Sequence, residues 1–203
     1  MKILWRIKME ILDLIKKARS HRSFKNISVP MDDLMRVIEG AHFSSAGANK
    51  QFLRYVLVND KDICSRLFKD VVWASQIEWK PTEDEAPGGY IVIFTDNPPK
   101  LPLNFIYADC GIALQNMKLI ATSLGYGVNF MEPVKKDDIL ETLNISKEYI
   151  PLFVMPIGVP TDEVVLTVVE NENMKYWREN LENHNYKHFV PKLSLDQLII
   201  KKI

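Results

Sequence analysis

The chain has 203 residues, 47% hydrophobic and 26% charged, which suits one domain of ordinary size with a true core. Its 26 basic and 26 acidic side chains cancel, which argues against a protein whose main work is coating nucleic acid or an anionic membrane. The balance is uneven, because residues 1–25 hold eight basic side chains against two acidic ones.

In chain order, residues 9–20 read as a helix with Ile11, Leu12, Leu14, Ile15 and Ala18 on one face and cations toward its C-terminal end. Pro30, Asp32 and Asp33 open a second helix, carried on by Leu34, Met35, Val37, Ile38 and Ala41. A small-residue polar loop runs from Ser44 to Gln51, a strand from Tyr55 to Val58 and a helix from Asp60 to Phe68. Val71–Gly89 is irregular, with Trp73 and Trp79, and gives way to the strand Tyr90–Thr95. Asn104–Leu124 is the longest helix and is apolar almost all round, as a central helix or one shared with a second subunit would be. Gly125 and Gly127 close it before a strand from Val128 to Met131. Asp137–Leu143 reads as a helix, and Leu152–Gly158 and Val164–Val169 as strands. The charged, aromatic tail ends in an amphipathic turn. Helices and strands mixed without strict alternation predict an α+β fold.

Several functions are excluded by absence. The longest wholly apolar stretch, Ile150–Pro160, has 11 residues and three prolines, short of the roughly 20 that span a bilayer. The start has no apolar stretch leading to a small-residue cleavage site. Two cysteines, Cys64 and Cys110, make neither a disulfide framework nor zinc spacing, and a cytoplasmic setting follows as the expectation. There is no glycine-rich dinucleotide or nucleotide loop and no serine nucleophile elbow. His184 and His188 stand four apart but lack the acid a zinc protease places between them. Cys110, inside the apolar helix, reads as core.

One segment carries chemistry: Arg19-Ser20-His21-Arg22-Ser23-Phe24. Arginines three apart lie close on a helix face, and two guanidinium forks with a hydroxyl at a helix end can converge on a phosphate. Read by itself, the same segment is more simply a solvated basic end that complements the helix dipole. The Ser44–Gln51 loop adds small residues for close backbone approach and one amide side chain, Asn49.

Taken in order, these segments resemble the nitroreductase family. The flavin-phosphate motif of that family is similar to Arg19–Phe24, and its loop and strand are similar to Ser45–Val58. Asp109–Gly127 resembles its central helix, Ile157–Pro160 its late glycine–proline strand end, and the tail places Lys192 where members carry a basic residue. The resemblance implies a three-layer α-β-α fold around a mixed or antiparallel sheet, in an intertwined homodimer. It implies a single FMN-binding domain over residues 1–203, with 1–8 as an extension and 170–203 as a C-terminal segment. It implies FMN as cofactor, NAD(P)H as co-substrate and a small electron-poor acceptor such as a nitroaromatic or quinone, with no nucleic acid or membrane partner.

Carried over by position, Arg19, Ser20, Arg22 and Lys192 look like phosphate ligands, and Ala46, Gly47, Asn49 and Gln51 match the loop that reaches the flavin from the partner subunit. The stretch through Met131 and Glu132 matches the backbone facing flavin N5, so that no side chain acts as a catalytic acid or nucleophile. Trp73 and Trp79, in the irregular segment, are expected either to cover the site and contact the acceptor or to pack in the core. The chain departs from the family pattern at Ser45-Ala46, Phe52-Leu53 and Ala18-Arg19, where proline–serine, proline–tryptophan and an arginine doublet are usual. Related branches leave reductive dehalogenation, flavin breakdown or a non-catalytic FMN-binding homodimer as alternatives.

Overall fold

The computed structural model describes residues 10–73, 77–169, 173–180 and 186–203. Its centre is built from the two most strand-like runs of the sequence. Strand β1 (Arg54–Val58) pairs with β2 (Gly89–Asp96), β2 with the long β4 (Tyr149–Gly158), and β4 with the short β3 (Gly127–Val128). All these pairings are antiparallel, in the order β1-β2-β4-β3. Tyr90 to Phe94 of β2 are buried without interruption, so both faces of the sheet are covered and the strand can be continuously apolar.

On one face, Leu34 and Val37 of α2 (Met31–His42) and Cys110, Leu114 and Met117 of α4 (Leu103–Ser123) join Ile91, Ile93 and Leu152 in one core. On the other, Leu67 of α3 (Lys61–Asp70) and Ile139 of α5 (Lys136–Leu143) pack with Tyr90, Val92, Phe94 and Val154. These are the three α-β-α layers the resemblance implies. Two local devices shape them. The Asp60 carboxylate accepts the Asp62 and Ile63 amides at 3.0 Å and starts α3. Gly40 lets α2 approach α4, since a Cβ there would lie 2.9 Å from the backbone of Asn116.

Four expectations change. The first helix, α1, is only Ile11–Lys17. Ala18 leaves helical geometry at ψ 84°, so Arg19 and Arg22 do not share a helix face. The Val128–Met131 strand is two residues long, with Met131 returning as an isolated bridge to Val154. The tail holds a second sheet, in which β5 (Asp162–Val168) runs parallel to β7 (Tyr186–Lys192) and β6 (Trp177–Asn180) antiparallel to it. Neither β6 nor β7 alternates cleanly between apolar and polar residues, so periodicity could not mark them. The closing helix, α6 (Leu195–Leu198), is one turn started by a Ser194–Gln197 capping box. Finally, α4 buries one side only, leaving Phe105 and Ile112 exposed on the other.

Candidate functional site

The segment after α1 is held by sheet-like pairing. Ser20 bridges Val128 in parallel, and the His21 amide donates to the Val128 carbonyl at 2.9 Å. Gly127 makes room for this, because a Cβ would meet the His21 ring at 2.7 Å. Farther along, the Lys25 amide donates to Val159 at 2.8 Å and the Thr161 amide to Ser23 at 3.0 Å. The buried Asp162 carboxylate then accepts from His21 Nδ1 at 2.7 Å and from the Arg22 amide at 3.2 Å. It lies 3.7 Å from Nη1 of Arg178. These bonds fix where Arg19, Ser20 and Arg22 point.

The three residues meet α4 and β7 in a cavity of about 320 Å³, lined also by Lys118, His188 and Lys192. Among the described residues, no carboxylate lines it. Lys118 is 7% exposed, with Nζ 3.4 Å from Ser20 Oγ and 4.8 Å over the Phe130 ring. Burial first, then the neighbouring charges of Arg19, Arg22 and Lys192, push its amine down to about 8. Burial also lowers the Arg19 guanidinium below its ordinary value. Arg19 donates to the Ile15 carbonyl at 2.7 Å, but its Nε, like that of Arg22, is buried with no partner among the described residues.

Arg22 Nη1 approaches His188 Nε2 at 3.0 Å. An arginine only donates, so His188 accepts at Nε2 and must carry its proton on Nδ1. Burial first, then the Arg22 charge, pushes this imidazole down to about 4. The Tyr176 ring lies 4.8 Å from the Arg22 guanidinium carbon.

Arg22 and Tyr176 also line an adjoining cavity with Asn129, Phe130, Met131 and Glu132. The Phe130 amide donates to Asn129 Oδ1 at 2.9 Å and the Met131 amide to Val154 at 3.0 Å. The Glu132 carboxylate accepts from Tyr107 at 3.3 Å. The two cavities share Arg22 and Tyr176; one is lined by cations and the other by the residues of this backbone stretch.

Ala46, Gly47, Asn49 and Gln51 lie elsewhere. Ala46 and Gln51 line a separate cleft with Asp109, and the Gly47 amide donates to Asp109 Oδ1 at 2.9 Å. Ala48, Asn49 and Gln51 all have φ near +50°, an unusual run for residues with a Cβ. Gln51 Nε2 donates to Asn49 Oδ1 at 3.0 Å and braces the turn. None of the four lines the Arg22 cavities.

The two tryptophans part company. Trp73 is core, 5% exposed, with Nε1 donating to the Phe68 carbonyl at 3.1 Å. Trp79 lies under Arg178, whose guanidinium sits 3.5 Å from its ring centroid and 3.8 Å from that of Tyr186. Arg178 also donates to Ser23 Oγ at 2.6 Å, tying β6 to the arginine segment. Cys110 is fully buried with its thiol pushed up to about 12 by burial, as a core cysteine would be. His184 lies outside the described residues, and no metal-holding group occurs among those described.

Sequence reasoning missed Lys118, Asp162, Tyr176 and His188 as neighbours of the motif. Lys118 left a signal, being the one cation within the apolar 104–124 run. Asp162, Tyr176 and His188 left none, since tertiary packing alone brings them to Arg22.

Known proteins share this fold. The chain is 25% identical over 159 residues to a Methanothermobacter thermautotrophicus protein provisionally named NADH dehydrogenase/NAD(P)H nitroreductase, covering 76% of this chain and 80% of that one. A Desulfovibrio desulfuricans structure solved in complex with FMN superposes with a TM-score of 0.67 at 16% identity, covering 97% and 98% of the two chains. An FMN-dependent nitroreductase from Clostridium difficile gives a TM-score of 0.64 at 20% identity, covering 80% and 92%. The family model described as "Nitroreductase family" matches residues 15–159, and the chain therefore belongs to the nitroreductase family of oxidoreductases.

Proposed function

We propose that the protein is an FMN-dependent NAD(P)H oxidoreductase that acts as a homodimer on a small electron-poor acceptor, such as a nitroaromatic or quinone. One observation carries this reading: a cavity ringed by Arg19, Arg22, Lys118 and Lys192, without a carboxylate among its described lining residues, shares Arg22 and Tyr176 with a second cavity lined by Phe130, Met131 and Glu132. Cations gathered without acids need an anion. The partnerless Nε atoms of Arg19 and Arg22 are donors suited to a terminal phosphate, so the residues present fit FMN. The residues holding it would be Arg19, Ser20, Arg22 and Lys192 at the phosphate, with Met131 and Glu132 beside the ring system.

FMN bound there would supply the redox chemistry, taking hydride from a nicotinamide and passing it to the acceptor, while the protein supplies binding, orientation and electrostatics. The amides of Phe130 and Met131 are already bonded, and among the described residues the Glu132 amide is not. Glu132 is therefore the residue of this stretch whose N–H is available to orient a bound ring.

A second subunit is supported by the Gly47–Gln51 loop, which lies away from its own chain's cavity, and by exposed apolar side chains on three helices. Ile11 and Leu12 are 75% and 59% exposed, Met35 52% and Phe105 60%. The chain folds as one domain on this reading, with Ala46, Gly47, Asn49 and Gln51 serving the partner's site.

The purified protein is expected to be yellow and to lose its flavin absorption anaerobically with NADH or NADPH. A colourless protein that added FMN cannot reconstitute would overturn the proposal, and a stable yellow protein that neither nicotinamide bleaches would leave a flavin carrier.

A further inference from the structure

Every cation of the cavity except one lies on a segment that the sequence pattern already marks. Lys118 lies in the middle of α4, a helix otherwise committed to the core. At 7% exposure its ammonium group has lost most of its hydration, and long cations in helices ordinarily extend to water instead. Among the described residues it has no carboxylate partner; its contacts are the Ser20 hydroxyl at 3.4 Å and the face of Phe130 at 4.8 Å. The charged or titratable groups around it are Arg19 and Arg22 from the N-terminal segment, Tyr176 just before β6, and His188 and Lys192 from β7. An apolar residue would serve the core at this position at lower cost, because a buried charge without a counterion is destabilising. A core role alone does not account for it.

We infer that Lys118 is a phosphate-binding residue, which projects from inside the core to complete the cationic cradle and selects phosphorylated flavin over flavin lacking the phosphate. The assignment rests on the flavin reading above. The Ser20 contact aims the amine at the same anion that Arg19 and Arg22 face. Arginine forks bind such an anion bidentately, and a lysine adds a compact point charge from the remaining side. The free protein bears a stability cost for holding this charge ready, and the bound anion relieves it.

The test compares wild type with Lys118→Met and Lys118→Gln, all stripped of flavin, by fluorescence titration with FMN and with riboflavin and by thermal melting. Losing one hydrogen bond to a charged group predicts a drop in FMN affinity of ~10- to 100-fold. Riboflavin affinity is expected to stay within about twofold. The flavin-free Lys118→Met protein should melt above wild type, the opposite of what loss of a merely structural contact would give.

A pH series gives a separate readout. Since the free amine titrates near 8 and must be protonated to hold phosphate, wild-type FMN affinity should fall as pH rises above 8. This fall is absent in Lys118→Met. Unchanged FMN affinity in both variants overturns the inference, and so does an equal loss for FMN and riboflavin, which would place the amine at the ring. If wild type takes no FMN, the flavin reading fails by itself. Calorimetry with inorganic pyrophosphate then decides: Lys118-dependent binding upholds the anion site, and equal binding or none in both proteins overturns it.

Discussion

The cradle around Arg22 and the loop around Gly47 are both small polar constellations, yet they are built in opposite ways. The cradle draws on the N-terminal segment, α4 and β7, with Lys118 buried, Arg19 and Arg22 half-buried and Lys192 exposed, and the arginine segment is braced by Asp162, His188 and Arg178. The loop is local: three residues near φ +50°, short-range bonds such as those of Gln51 to Asn49 and of the Asn49 amide to Ala46, and a tie from Gly47 to Asp109. Charges that must not relax are placed where many elements hold them, so that binding costs little reorganisation. On the proposed dimeric reading the loop meets the partner chain, and such a segment can stay on the surface, with its conformation set by a few bonds.

The sharpest way to break this contrast is at Asp162, the acid behind the cradle. Arg178 is buried beside it, with 3% of its side chain exposed, so Asp162→Asn leaves a guanidinium without its counterion. The expected loss of stability is about 3 kcal/mol, read as a lower urea midpoint with an unchanged slope. Next comes the cradle itself. Arg22→Ala should weaken FMN binding by about 1.5–3 kcal/mol, measured by titration, and unchanged affinity would remove Arg22 from the phosphate. At the loop the effect should be smaller. Asp109→Ala removes an exposed bond from the Gly47 amide and is expected to cost about 1 kcal/mol, appearing in dimer dissociation by sedimentation instead of in monomer unfolding. If the Asp109 variant unfolds as readily as the Asp162 variant, the two regions are not built differently.

Much of this was legible in the sequence, and the part that was not has a physical cause. The apolar runs of β2 and β4 and the helices α2 to α5 announced themselves through periodicity. The Arg19–Phe24 motif was visible as residue types, but its conformation was not, because pairing with Val128 and a buried acid 140 residues away decide it. The same holds for β6 and β7, whose mixed patterns yield to tertiary context. Trp73 could be read as cover or as core, and only packing against Phe68 shows which. Lys118 stands in the sequence as the one cation of the 104–124 run, but a helix that reads as apolar does not advertise one buried cation as a ligand.

The smallest expected effect at neutral pH is at His188, and it tests whether the cradle is braced as described. The imidazole is fully buried and accepts from Arg22, so protonation would set two cations against each other. Its folded value, down to about 4 from an ordinary 6.5, means that between those limits the unfolded chain binds a proton the native one refuses. Stability contributed by this group is therefore complete above pH 6.5 and lost progressively as pH falls toward 4. His188→Gln retains an acceptor without a titrating group, so it should match wild type closely at pH 7.5 and lose less stability at pH 5. Urea melts of both proteins at the two pH values isolate the difference, because every other titrating group is shared. Parallel acid losses in the two proteins would mean that His188 is not held neutral against Arg22, and the cradle would then be free to rearrange as its anion arrives.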